Sequence, residues 1–286
     1  MALYRLTESD GLLEPIVVTA FDGWVDAGSA ATNAAKRLAE TGRLVADFDA
    51  DQLFDYRSRR PTLEIQDGKP ERLTWPSLTI RRRRLGERDV LVLTGAEPDF
   101  KWRRLAAELV EIAKQLDIRA WISLGAIPAA VPHTRAVPIL GTASRPGLLR
   151  GEVQAGPEGL LRVPAACLSV IDMAISRAGI PAVGYFAQVP HYVSGEYPAA
   201  SVELLRAVGR HLDEEPSFGD LPEAARTLRK RLDTAAALDE TTRAYVERLE
   251  GMVDESRLPA GDDLIADIER FLRDQGSEMG GGGRPN

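Results

Sequence analysis

Residues 15–38 limit the fold of this chain more than any other segment. An apolar, β-branched run containing Ile16, Val17, Val18 and Thr19 reads as a buried strand. It meets the tight polar turn Phe21-Asp22-Gly23-Trp24-Val25-Asp26-Ala27-Gly28-Ser29. A strong helix former, Ala30-Ala31-Thr32-Asn33-Ala34-Ala35-Lys36-Arg37-Leu38, follows. Strand, turn and helix in that order are the opening of an α/β unit, and the turn is where such folds place their sites. The turn is not a phosphate cradle, which needs glycines and exposed N–H groups. A carboxylate roughly 5–6 Å from a phosphate opposes it by about 3 kcal/mol at an effective dielectric near 20. Asp22 and Asp26 together would outweigh the ~0.3–2 kcal/mol that a helix N-terminus offers. An equal reading of the segment has Asp22 or Asp26 capping the helix while Trp24 packs.

The same alternation continues for two hundred residues. Strands are expected at 16–21, 44–48, 78–83, 89–94, 120–125 and 182–189, with helices at 29–41, 101–116, 165–178 and 199–212. A mostly parallel sheet covered on both faces follows from this pattern. Leu63-Glu64-Ile65 and Leu73-Thr74-Trp75 flank Asp67-Gly68-Lys69-Pro70, which marks a β-hairpin whose antiparallel strands make the sheet mixed. From Ser217 onward the pattern is helical, at 221–238, 240–252 and 262–273. Its apolar stripes are Leu228, Leu232, Ala235 and Leu238, then Tyr245, Leu249 and Met252, then Ile265, Ile268, Phe271 and Leu272. Three short stripes need a partner surface. The expected organisation is an α/β domain over 1–216, a helical extension over 217–275 packed on it, and a disordered glycine tail over 276–286.

Composition removes several classes of function. A net charge of −7 and 6% aromatic residues speak against nucleic-acid binding. The run Arg81-Arg82-Arg83-Arg84 is the local exception and reads as a charged edge or subunit contact. No apolar run reaches membrane-spanning length, no leader pattern opens the chain, and a cytoplasmic protein is expected. The single cysteine, Cys167, reads as inert core. The three histidines, His133, His191 and His211, show no metal-ligand spacing, and no motif for a nucleotide or other cofactor occurs.

Polar groups remain at the ends of the expected strands: Asp22, Trp24 and Asp26, then Arg57 and Arg60, Glu97, Arg135 and His191. In an open α/β sheet such groups converge on the carboxyl edge. They form either a structural ion-pair network or a site for a small polar metabolite, worked by a phosphorylase- or hydrolase-like enzyme.

These segments carry a resemblance. The turn 21–32, Asp55-Tyr56-Arg57 with Arg60-Pro61, and Gly95 with Glu97-Pro98-Asp99 and Trp102 resemble the proteasome assembly chaperone family. Thr134-Arg135 and Val189-Pro190-His191-Tyr192 followed by Pro198 resemble it too, and the helical end with Glu269-Arg270-Phe271-Leu272-Arg273 resembles its actinobacterial branch in particular. The resemblance implies a three-layer α/β/α sandwich with a mixed sheet, similar to the purine nucleoside phosphorylase-like fold, plus a C-terminal helical extension. It also implies a non-catalytic homo-oligomer acting in protein assembly or as a scaffold, with proteasome subunits or other proteins as partners. Relatives that dock into proteasome subunits through a C-terminal hydrophobic-Tyr-any tail differ from this chain, which ends Arg284-Pro285-Asn286.

Overall fold

The structure, a computed structural model, describes residues 2–7, 10–151, 153–156 and 159–254. The expected helix at 262–273 and the tail at 276–286 lie outside the described residues. Continuous apolar runs form the middle of the sheet because both faces there are covered. The central strands are β2 (Ile16–Phe21), β7 (Arg88–Gly95), β8 (Ala120–Ala129) and β11 (Ala182–Pro190). One flank carries β6 (Leu78–Leu85), β3 (Arg43–Phe48) and β1 (Tyr4–Leu6). The other carries β9 (Ile139–Ala143) and β10 (Gln154–Ala155). The order across the nine strands is β1-β3-β6-β7-β2-β8-β11-β9-β10.

Helices α1 (Ala30–Ala39) and α5 (Pro198–Leu212) cover one face of the sheet, and α3 (Trp102–Gln115) and α4 (Cys167–Arg177) cover the other. The chain is therefore a three-layer α/β/α sandwich around a mixed sheet. Alternate residues of one strand feed the two cores: Val17 with Phe21, and Ile16 with Val18 and Ala20. A short helix α2 (Ala50–Leu53) joins the first of these cores through Leu53. None of the helices among the described residues is long and apolar enough to cross a membrane.

Two expectations are corrected here. The hairpin, β4 (Thr62–Gln66) and β5 (Lys69–Thr74), forms its own two-stranded sheet. Its turn uses Asp67 and Gly68, both at positive φ (51° and 77°), as a two-residue hairpin requires. The mixed character of the main sheet comes instead from β6, which is antiparallel to β3 and β7, from β9, antiparallel to β11, and from β1, antiparallel to β3. The second correction concerns the arginine run, which is engaged within the chain. Strand alternation sends Arg81 and Arg83 toward α1, where they donate to the carbonyls of Gly42, Arg37 and Glu40 just at and beyond its C-terminal turn. Arg82 turns to the opposite side and pairs with Asp89 at 2.9 Å.

Helix α6 (Leu221–Leu238) lies on α5 and applies Leu221, Leu228 and Leu232 to the α1/α5 core. Ala235 and Leu238, the far half of the expected stripe, are exposed. Helix α7 (Glu240–Asp254) buries Val246 and Leu249, while Tyr245 and Met252 are half-buried.

Candidate functional site

Because β6 is antiparallel to both β3 and β7, strand β3 runs in the same direction as β7, β2, β8 and β11. The carboxyl ends of these five strands therefore share one edge of the sheet. The sequence-derived site residues follow these strands, and the structure divides them into two groups with Asp26 between.

The first group stands at the ends of β2, β3 and β7. The Asp22 carboxylate accepts from Arg59 Nη1 at 2.7 Å and from the Glu97 backbone N–H at 3.0 Å. Arg59 also lies 3.6 Å from Asp99, whose other oxygen accepts from the Asp55 N–H at 2.8 Å. Glu97 reaches 70 residues along the chain to accept the Cys167 N–H at 2.7 Å, so it caps α4 from outside. The local N-cap of α4 is Ala166, which has no side-chain acceptor, and the orphan N–H needs a remote one. Arg59, rather than Arg57 or Arg60, is the arginine of this network. The Asp55 carbonyl accepts the N–H groups of Ser58 and Arg59, and the tight turn so made points Arg57 and Arg60 into solvent. Trp24 is 44% exposed. Cys167 is fully buried, and burial pushes its thiol far above the usual range, with the Glu97 charge adding to the shift. It is expected to resist iodoacetamide in the native protein and to label fully in denaturant; equal rates in both would sink that expectation.

Asp26 sits between the two groups, in a bridge with Ala126 of β8. Ser29, the residue preceding α1, makes no side-chain cap. Asp26 does that work from three positions further back, accepting the N–H groups of Ala31 (2.8 Å) and Thr32 (3.1 Å) and the Thr32 hydroxyl. Burial pushes its carboxyl up from 3.8 to about 6, against those hydrogen bonds, and Asp22 adds a little. The folded state therefore holds the proton over a range where the unfolded chain has released it. Stability falls as pH rises from about 4 to about 6, by up to about 3 kcal/mol, and is flat above. Urea midpoints across that range should show this slope in the parent and lose it in Asp26→Asn. A slope shared by both proteins would disprove the assignment.

The second group gathers beyond β8 and β11, where Arg135 and His191 meet the C-terminal helices. Glu250 of α7 pairs with Arg135 Nη1 at 3.1 Å and accepts from the Thr134 hydroxyl. His191 donates from Nδ1 to the Ala129 carbonyl at 3.1 Å, leaving Nε2 to accept from the Tyr245 hydroxyl at 3.1 Å. The Tyr192 hydroxyl accepts the His133 N–H and donates to His133 Nδ1, each at 2.7 Å, so the proton of neutral His133 is on Nε2. That nitrogen is 3.3 Å from Asp233 of α6 but poorly aligned. Burial, then Arg229, holds His133 below the usual histidine range. Arg229 of α6 donates to the His133 carbonyl at 2.9 Å. A groove of about 460 Å³ opens beside this group, with Tyr197, Val137, Leu228 and Arg229 in its wall.

Sequence reading missed Arg59, Tyr192, Tyr245, Arg229 and Glu250. The last three come from helices more than fifty residues distant, and nothing local marks them. Every acid in these two groups accepts from a guanidinium, a backbone N–H or a hydroxyl. Among the described residues, no hydroxyl or thiol of Ser, Thr or Cys is hydrogen-bonded to a histidine, and no group of three or more His, Cys, Asp or Glu is placed to hold a metal.

A family model described as the PAC2 family matches residues 20–236. A Mycobacterium tuberculosis protein of unknown function is 30% identical, with a TM-score of 0.84 over 96% of this chain and 96% of that one. A proteasome-assembly chaperone homologue from the same organism is 36% identical, with a TM-score of 0.73 over 81% of this chain and 99% of that one. The archaeal proteasome activator PbaB of Pyrococcus furiosus shares the fold at 15% identity, with a TM-score of 0.64 over 81% of this chain and 97% of that one. No functionally curated protein matches the sequence.

Proposed function

We propose that this chain, which belongs to the PAC2 family, is a non-catalytic, homo-oligomeric factor of the cytoplasm that assists protein assembly or serves as a scaffold. Proteasome subunits are the first partner class to test, since a relative 36% identical is a proteasome-assembly chaperone homologue. One observation carries the non-catalytic reading. Asp22, Asp26, Glu97 and Asp99, the acids with which a metabolite would have to work, already hold α1, α4 and the loop after β3 in place. Acids neutralised by helix N–H groups and Arg59 serve the frame of the sheet edge rather than a reacting molecule. In this reading residues 1–216 are the sandwich and 217–275 an extension latched to its edge by Arg135–Glu250 and His191–Tyr245.

Tagged full-length chain should capture proteasome α- or β-subunits, or assembly intermediates, from a lysate of its own host. The decisive arm is reconstitution with purified subunits, where it should accelerate ring formation without being consumed. A parallel thermal-shift screen of nucleosides, phosphates and amino acids should leave the melting temperature unchanged. A ligand whose stabilisation disappears in Asp22→Asn, together with product formation, would replace the assembly reading with the enzymatic one.

A further inference from the structure

We propose that the groove between α5, α6 and the loop from β8 to β9 binds a small monocarboxylate with an apolar body, its carboxylate held by Tyr197, His133 and Arg229. The inference does not depend on the assembly reading above. Tyr197 is 4% exposed and lines the groove, yet among the described residues its hydroxyl has no hydrogen-bond partner. Burial, then the neighbouring Tyr192, pushes its ionisation up to about 12 while Arg229 draws it down, so it is a neutral donor beside that guanidinium. His133 Nε2 is buried in the same wall and also lacks a hydrogen bond. Nδ1 of that ring accepts from the Tyr192 hydroxyl, which leaves the proton on Nε2. Arg229 gives Nη1 to the His133 carbonyl and Nε to Asp233, and its Nη2 has no acceptor among the described residues. Buried polar groups are paired in all but a few cases. Three uncommitted donors around one groove call for an acceptor from outside the chain.

Donors alone select an acceptor, and the charge around them selects an anion. Arg135, Arg206, Arg226, Arg229 and Lys230 line the groove with one acid, Glu203. Glu203, Glu223, Asp233 and Glu250 pair with the four arginines, and Lys230 has no ion-pair partner among the described residues. One positive charge is thus left over in a chain whose net charge is −7. Asp233 lies 3.3 Å from His133 Nε2 but out of line, and its side chain is 47% exposed. It can turn to water when a better-aligned carboxylate reaches the same donors. The floor sets the rest of the ligand. Val137, Val202, Leu228 and Leu232 supply apolar surface, and about 460 Å³ falls within the ~300–1,000 Å³ of small-molecule sites. An α-amino acid would bring its ammonium against Arg229 and is not a ligand here, in keeping with the flat screen expected above.

The test is isothermal titration of the full chain with butyrate, hexanoate and octanoate, against hexan-1-ol and hexylammonium, for the parent, Tyr197→Phe and Lys230→Glu. The expected result is binding of the carboxylates alone, with the dissociation constant falling about fourfold per added methylene until the groove is filled. Tyr197→Phe removes a hydroxyl that bonds nothing within the chain, so its melting temperature should match the parent while octanoate affinity drops at least about fivefold. Lys230→Glu, an exposed change, should weaken octanoate by about twofold or more. A tyrosine kept for packing alone would leave octanoate affinity unchanged in Tyr197→Phe, and that result overturns the site. So does no binding up to about 10 mM octanoate, or hexan-1-ol binding as well as hexanoate, which would leave only a greasy groove. N-acetylleucine separates the two sources of such a carboxylate. Binding tighter than that of octanoate would assign the groove to the end of a peptide chain, and weaker binding to a free acid.

Discussion

Arg82→Ala is expected to cost about 3–5 kcal/mol of folding stability, the range for stripping one partner from a buried ion pair. Asp89 is 1% exposed and cannot fall back on water. Arg82 Nε and Nη2 reach its two oxygens at 2.9 and 3.0 Å, the Leu13 N–H donates to it at 2.7 Å, and Arg84 lies 3.7 Å away. Burial pushes the Asp89 carboxyl up, but Arg82, the Leu13 N–H and Arg84 together hold it below its usual value. In the parent this contribution is complete above the unfolded pKa near 3.8 and is lost as pH falls through the depressed folded value. Without Arg82 only the Leu13 N–H and Arg84 remain to offset the burial penalty, so the carboxyl rises from its depressed parent value. The difference between parent and Arg82→Ala should therefore shrink as pH falls below about 4. Urea unfolding at pH 7 and pH 3.5 measures both, and a cost under about 1 kcal/mol at pH 7 would reject the pairing as a source of stability. The double substitution Arg82→Leu with Asp89→Leu should recover most of the loss, since removing both charges leaves nothing unpaired.

That pair also shows where sequence reading reached its limit. The arginine run was visible, as was the strand that carries it, but which side chain of four finds the buried acid depends on the register of β6 against β7. Strands β2, β7, β8 and β11 could be read because strands covered on both faces leave continuous apolar runs. Strand β9 could not, since Ile139-Leu140-Gly141-Thr142-Ala143 is short, follows Pro138 and contains a glycine. The hairpin was legible from Asp67-Gly68 alone, whereas its separation from the main sheet is a tertiary fact. At the site, the acids were found because they follow strands. Their partners were found only where the partner is local. Asp26 caps a helix five residues away, but Glu97 caps one 70 residues away and Glu250 meets Arg135 from 115 away. One signal for the long-range case was present: α4 begins after Ala166 with no capping side chain nearby. An apolar N-cap on a buried helix calls for an acceptor from elsewhere in the chain.

Gly95→Ala is expected to be as damaging as loss of Arg82, by a different route. Gly95 ends β7 at φ 153° and is paired on both sides, with Phe21 of β2 and Leu78 of β6. A methyl group there would sit 1.9 Å from the Ser77 carbonyl oxygen and 2.9 Å from the Leu78 Cα, both backbone atoms that no rotamer change can move aside. Strand β6 would have to retreat, and with it goes the Ala96 N–H to Ser77 carbonyl bond of 3.0 Å. The Gly95 carbonyl accepts the Asp22 N–H at 3.1 Å, and Glu97 is two residues on, so the displacement travels into both acids of the first group. We expect a loss of at least about 3 kcal/mol, at the upper end for overpacking because the strain falls on the backbone. The Cys167 N–H should also exchange faster with solvent as Glu97 shifts from the α4 terminus. Gly251→Ala is the matched control: it lies inside α7 with nothing within 4 Å of the added carbon, and alanine should gain about 0.5–1 kcal/mol there. Urea melts of the two variants separate a glycine required by close backbone approach from one that merely weakens a helix. A Gly95→Ala protein within about 1 kcal/mol of the parent would mean that β6 and β7 tolerate a wider spacing at this edge. The acids after β7 would then keep their places through their own partners, Glu97 through the Cys167 N–H and Asp99 through the Asp55 N–H and Arg59, whatever the spacing of β6 and β7.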